Sequence, residues 1–133
     1  MSKIIHVSGK RKKAVARATL KEGKGIVRIN GKLLDVYEPE LSRMKILEPI
    51  MLAGDLIKKV DLKVTVFGGG CQAQADASRL AVARALMEFS KSKVLKKKFL
   101  EYDRHLLVAD VRRNEPHKPN DSKPRSKRQK SYR

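Results

Sequence analysis

From Arg112 to Arg133 the chain has no Ile, Leu, Val, Met or Phe, and Pro116, Pro119 and Pro124 punctuate the stretch. Ordering a residue costs about 1–2 kcal/mol of conformational entropy, and a segment with so little apolar surface cannot offset that by burial. It is therefore expected to be an extended basic tail, disordered alone and ordered on a partner. Any core has to come from residues 1–111, the size of one small domain. Cys71 is the single cysteine, so neither an internal disulfide nor a thiolate metal site reinforces that core.

The tail is also where charge collects. It carries nine basic residues against Glu115 and Asp121, and residues 1–19 carry six (Lys3, Lys10, Arg11, Lys12, Lys13, Arg17) with no acid. Residues 20–111 have seventeen basic and twelve acidic side chains, so +13 of the formal +18 sits in the 41 terminal residues. A field of that size speaks of a polyanionic partner rather than of a fold. No stretch approaches the roughly eighteen consecutive apolar residues of a membrane span, and residues 1–10 lack the apolar run of a secretory signal. A soluble cytoplasmic protein with no membrane partner is expected.

Apolar periodicity sketches the domain. Ile4–Val7, Ala14–Leu20 and Ile26–Ile29 suit strands, with Gly23-Lys24-Gly25 and Asn30-Gly31 as turns between and after them, most simply in a hairpin. Leu41, Met44, Leu47 and Met51 recur at helical spacing within Glu38–Leu52, a helix that Pro49 should end or kink and Gly54 should close. Val60–Phe67 alternates almost without a break and is rich in β-branched residues. After Gly68-Gly69-Gly70, the alanine-rich stretch Gln72–Phe89 predicts a helix able to lie close to a sheet, and Ser92–Tyr102 predicts a second. Leu106–Val111 reads as a last strand, giving an α/β (α+β) sandwich.

Two basic motifs carry the functional signal. Lys10, Arg11, Lys12 and Lys13 are four consecutive cations, followed by Arg17. Like charges so dense repel one another unless phosphates relieve them, and counterion release makes that relief favourable. In the tail, Lys123, Arg125, Lys127, Arg128, Lys130 and Arg133 recur with small polar spacers around one aromatic, Tyr132. At about 3.3–3.6 Å per extended residue, such an arm reaches several tens of ångströms. Its arginines suit phosphate oxygens and Tyr132 suits a base or sugar.

Other chemistry finds little footing. Gly68–Gly70 stands between a strand and a helix as a phosphate cradle does, but neither Gly-x-Gly-x-x-Gly nor a P-loop Gly-Lys-Ser/Thr is present, so it reads as a tight turn near an RNA backbone. His6, His105 and His117 share no metal-ligand spacing. Asp61, Asp76, Asp103 and Asp110 form no acid–base pair in sequence, and neither Ser8 nor Cys71 has an evident base. No enzyme and no cofactor are expected.

Gly9-Lys10-Arg11-Lys12-Lys13-Ala14-Val15-Ala16-Arg17-Ala18 resembles the N-terminal signature of the universal ninth-protein family of the small ribosomal subunit. Gly68-Gly69-Gly70, Gln74-Ala75 and Arg79–Leu86 follow in the family's order, although Ala73 stands where bacterial members commonly have glycine. The ending Lys127-Arg128-Gln129-Lys130-Ser131-Tyr132-Arg133 resembles the archaeal and eukaryotic terminus, so the likeness spans essentially the whole chain.

The resemblance implies a two-layer sandwich similar to the second domain of the fifth small-subunit ribosomal protein, built from residues 1–111 and carrying the tail 112–133. It implies a structural role in the subunit head among neighbouring head proteins. Small-subunit ribosomal RNA would be bound by Lys10, Arg11, Lys12, Lys13, Arg17, Arg112, Arg113, Lys118, Lys123 and Arg125. Lys127, Arg128, Lys130, Tyr132 and Arg133 would approach the peptidyl-site transfer RNA.

Overall fold

The segment with the cleanest alternation, Val60–Phe67, runs through the middle of the sheet. In the computed structural model, which describes residues 4–119, 123–126 and 132, the strands are β1 (Ile5–Arg11), β2 (Ala14–Glu22), β3 (Val27–Ile29), β4 (Lys32–Leu33) and β5 (Val60–Phe67). The helices are α1 (Glu40–Ala53), α2 (Cys71–Ser90) and α3 (Lys93–Tyr102). Strand order is β1-β2-β5-β3-β4. β5 is antiparallel to β2 and parallel to β3, so residues 30–59, which include α1, form the crossover between two parallel neighbours.

Alternation places Val60, Leu62, Val64 and Val66 of β5, with Ala14, Ala16, Ala18 and Leu20 of β2, on one buried face. α1 and α2 cover that face, so the described residues build a two-layer mixed α and β domain. A satellite cluster of Ala83, Leu95, Phe99 and Leu106 packs α3 against another side of α2. Ser92 caps α3, its Oγ accepting from the Leu95 amide at 3.4 Å. Among the described residues no helix is long and apolar enough to cross a membrane.

Four sequence expectations need correcting. β2 and β3 are not hairpin partners, because β5 lies between them. β2 pairs instead with β1 through a tight turn at Lys12-Lys13, Lys12 having a φ of 52°. The Gly23–Gly25 loop hangs on Asp61, whose Oδ1 accepts from the Lys24 and Ile26 amides at 2.9 Å each.

α1 runs through Pro49 to Ala53, with Pro49 fully buried. Packing thus overrides the loss of one helical hydrogen bond. Leu41, Met44 and Met51 face outward; Ser42, Ile46 and Pro49 make the buried stripe instead.

Leu106–Val111 is no strand. Asp103 caps a 3₁₀ turn at Arg104–Leu106 by accepting from the His105 amide at 2.9 Å, and Leu106 drops into the satellite cluster. The edge of β1, where a sixth strand would dock, has its Ser8 carbonyl occupied by the Arg84 guanidinium at 2.9 Å.

The two layers meet most closely at Gly9. A Cβ there would stand 2.3 Å from the Ala77 carbonyl oxygen and 2.8 Å from the Ala81 nitrogen, both backbone atoms of α2. Gly9→Ala is therefore expected to destabilise the domain by about 3 kcal/mol, the upper end for over-packing, read as a lowered urea midpoint. Gly70→Ala, where a Cβ meets nothing within 4 Å, is the control and should cost no more than about 1 kcal/mol.

Candidate nucleic-acid interface

Strand alternation divides the N-terminal basic cluster. Lys10 and Arg17 point to the uncovered face of the sheet, Lys12 and Lys13 form the exposed tip of the β1–β2 turn, and Arg11 turns inward against α2. Arg11 faces the Asp110 carboxylate at 3.2 Å and Asp76 at 3.9 Å, and its Nη1 donates to the Arg112 carbonyl at 3.4 Å.

The glycine turn lies against this tip. Gly68 and Gly69 adopt φ of 77° and 65°, and a Cβ on Gly68 would sit 2.5 Å from the Lys13 carbonyl oxygen. The glycines are thus explained by close passage of β5 past the basic turn. α2 begins immediately afterwards at Cys71, with Gly70 as its N-cap and no side-chain cap, and its first-turn amides add positive potential to the lysines beside them. The Gln74 amide nitrogen donates to the Gly68 carbonyl at 3.1 Å and braces the turn.

The segment leading into the tail returns to the same place. Arg84 of α2 donates from Nε to the Leu107 carbonyl at 3.1 Å and from Nη1 to Ser8, tying this segment to the edge of β1. Asp110 accepts from the Arg112 side chain and amide, at 2.8 and 3.0 Å, and faces Arg11. The Arg112 side chain and amide, then Arg11, hold its carboxyl far below the usual carboxylate range. Arg113 donates to the Lys12 carbonyl, 101 residues away.

Behind this contact, Arg79 of α2 pairs with Glu48 of α1 and with Asp103 at 2.7 Å. Burial pushes the Asp103 carboxyl up, but the His105 amide and the Arg79 guanidinium outweigh it and the net shift is downward.

Of the residues expected to bind RNA, Lys12, Lys13, Arg112 and Arg113 thus come together as one cationic lip, whereas Lys10 and Arg17 stand on the uncovered sheet face. Lys118 and Lys123 are exposed farther along. Arg125 forks onto Glu115 at 2.5 and 3.1 Å. Tyr132 is exposed, whereas Lys127, Arg128, Lys130 and Arg133 lie outside the described residues. The sequence reading missed Lys21, Arg28 and Lys63, which also stand on the uncovered sheet face. Their signal was there: each occupies an outward position of an alternating strand.

A small basic two-layer domain with cations from both ends of its chain on one lip has the build of a polyanion-binding protein. Comparison with known proteins narrows the class. A family model described as "Ribosomal protein S9/S16" matches residues 9–133. The chain is 53% identical over 133 residues to the small ribosomal subunit protein uS9 of Methanococcus maripaludis strain C7, covering 98% of this chain and 99% of that protein. The uS9 protein of strain C5 is similar to the same extent. The chain belongs to the ribosomal protein S9/S16 family, whose members are structural proteins without a catalytic activity.

The lip rests on carboxylates whose pKa values lie below the ordinary range. Their contribution is therefore present above the unfolded value near pH 4 and is lost as pH falls through the lowered folded values. The hydrogen-bonded amides of Leu107, Val108 and Arg112 in the full-length chain should be protected from hydrogen exchange at pH 6 and lose protection as pH drops below about 4. Asp110→Asn should expose them already at pH 6.

Proposed function

We propose that this protein is a structural constituent of the small ribosomal subunit in the cytoplasm, with the lip seated on ribosomal RNA in the subunit head beside neighbouring head proteins. Its basic tail then extends from the lip to the transfer RNA in the peptidyl site. Residues 1–111 act as the RNA-anchored domain, a sandwich similar to the second domain of the fifth small-subunit ribosomal protein, and residues 112–133 act as the arm.

The observation that carries this reading is the contact of Arg113 and Arg112 with the Lys12 carbonyl and Arg11. It joins the root of the arm to the basic turn, so that one RNA surface would hold both. Neutralised phosphates release counterions, and the assembly mechanism is then charge neutralisation by Lys12, Lys13, Arg112 and Arg113, with Lys118 and Lys123 continuing along the RNA. Lys127, Arg128, Lys130 and Arg133 bring the same chemistry to the transfer RNA, where Tyr132 offers a stacking or sugar contact.

Deleting residues 126–133 removes four cations. It should flatten the plot of log K against log salt for loop RNA by about three units, at roughly 0.7 per phosphate. An unchanged slope refutes the arm. In cells, ultraviolet crosslinking of the full chain should recover small-subunit ribosomal and transfer RNA, and the shortened chain should lose only the transfer RNA. Scattered RNA from both chains would overturn the assignment to the subunit head.

A further inference from the structure

The helices cover one face of the sheet and leave the other bare, and that bare face has an ordered composition. Across it, Val15 faces Lys10 and Phe67, Arg17 faces Ser8 and Thr65, and Thr19 faces His6 and Lys63, with Arg28 next to Lys63 on β3. Lys21 is in register with Asp61. Five cations thus share the face with one carboxylate, whose Oδ1 is already engaged by the Lys24 and Ile26 amides. Among the described residues Lys10, Arg17, Lys21, Arg28 and Lys63 make no ion pair at all.

Phe67 differs from the other large side chains of β5. Half of its surface is open, and the Arg17 guanidinium lies 5.6 Å from its ring centre. Toward the other end of the sheet a shallow groove is lined by Ile4, Thr19, Ile26 and Lys63. His6 Nδ1 and Thr19 Oγ1, 3.0 Å apart, place polar atoms along it.

We infer that this open sheet face is a second RNA surface, distinct from the lip, that takes unpaired nucleotides. A base stacks on the open part of Phe67 beside Arg17, and the following phosphates cross the rows of Lys63, Arg28 and Lys21. Charge complementarity selects a polyanion. The aromatic selects an unpaired one, since a duplex keeps its bases stacked inside and has none to lay on a ring. The hydroxyls of Thr19 and Thr65, on outward positions of the same rows, are placed to meet base edges or ribose hydroxyls.

This inference rests on the RNA-binding reading above, and the test separates the two. The full chain is titrated with a short unstructured oligouridine and with an RNA duplex of equal length. Phe67→Ala should weaken oligouridine binding about tenfold and leave duplex binding unchanged. Phe67→Tyr should keep the affinity. Arg17→Gln with Arg28→Gln and Lys63→Gln should lower the oligouridine salt slope by about two.

Equal losses on both RNAs, no loss on either, or tighter binding of polyglutamate than of oligouridine would each overturn the stacking surface. In the first two cases Lys12→Gln with Lys13→Gln should still weaken duplex binding, leaving the lip intact as an RNA contact. A wild-type chain that binds neither RNA would overturn both readings at once.

Discussion

Everything else in this domain depends on how closely α2 can lie on β1 and β2. The sheet offers Gly9, Ala14, Ala16 and Ala18, and the helix offers Ala77, Ala81 and Ala85, all buried. Small side chains on both layers let backbone approach backbone at Gly9, at the expense of apolar area per residue. The return is positional. Only a helix held this near can start at the glycine turn against Lys13 and still let Arg84 reach Ser8 on the strand edge and Leu107 on the segment after α3.

The arginines and lysines therefore divide into two populations. Arg11, Arg79 and Arg84 are drawn inward and are met by carboxylates or carbonyls, as a partly desolvated guanidinium must be. Their planar forks can serve two partners at once, which a lysine ammonium does less well. Lys10, Lys12, Lys13, Arg17, Lys21, Arg28 and Lys63 remain exposed. A net charge of +18 thus overstates neither the core nor the partner: part of the basic complement is framework, and the rest is a surface laid out by the framework.

That division was only partly legible in the sequence. β5 and α2 were readable because eight and twenty residues of unbroken pattern leave little ambiguity. Leu106–Val111 misled because a short apolar run suits a strand and a buried turn alike, and the deciding partners, Phe99 and Arg84, lie outside the run on α3 and α2. Leu41, Met44 and Met51 shared a helical face, but the face that packs is chosen by Ile46 and Pro49 meeting the rest of the core. Arg11 could not be told from Lys10 or Lys12 until the strand register put alternate residues on opposite sides. The lip itself joins positions 101 apart, and no local pattern encodes such a contact.

The central place of β5 also imposes an order on the chain's own birth. β1 and β2 can pair as soon as both exist, and β3 can pair with β4 across the Asn30-Gly31 turn. The two ribbons have no bond to each other until Val60–Phe67 enters between them. Synthesised from its N-terminus, the polypeptide must carry two unjoined pieces of sheet, with open edges, through the making of α1. Closing them requires a long loop to shut before any contact rewards it, and unpaired edges are where nascent chains go astray. A protein with this strand order has reason to keep its early segments strongly cationic, because mutual repulsion holds half-made copies apart until the keystone strand arrives.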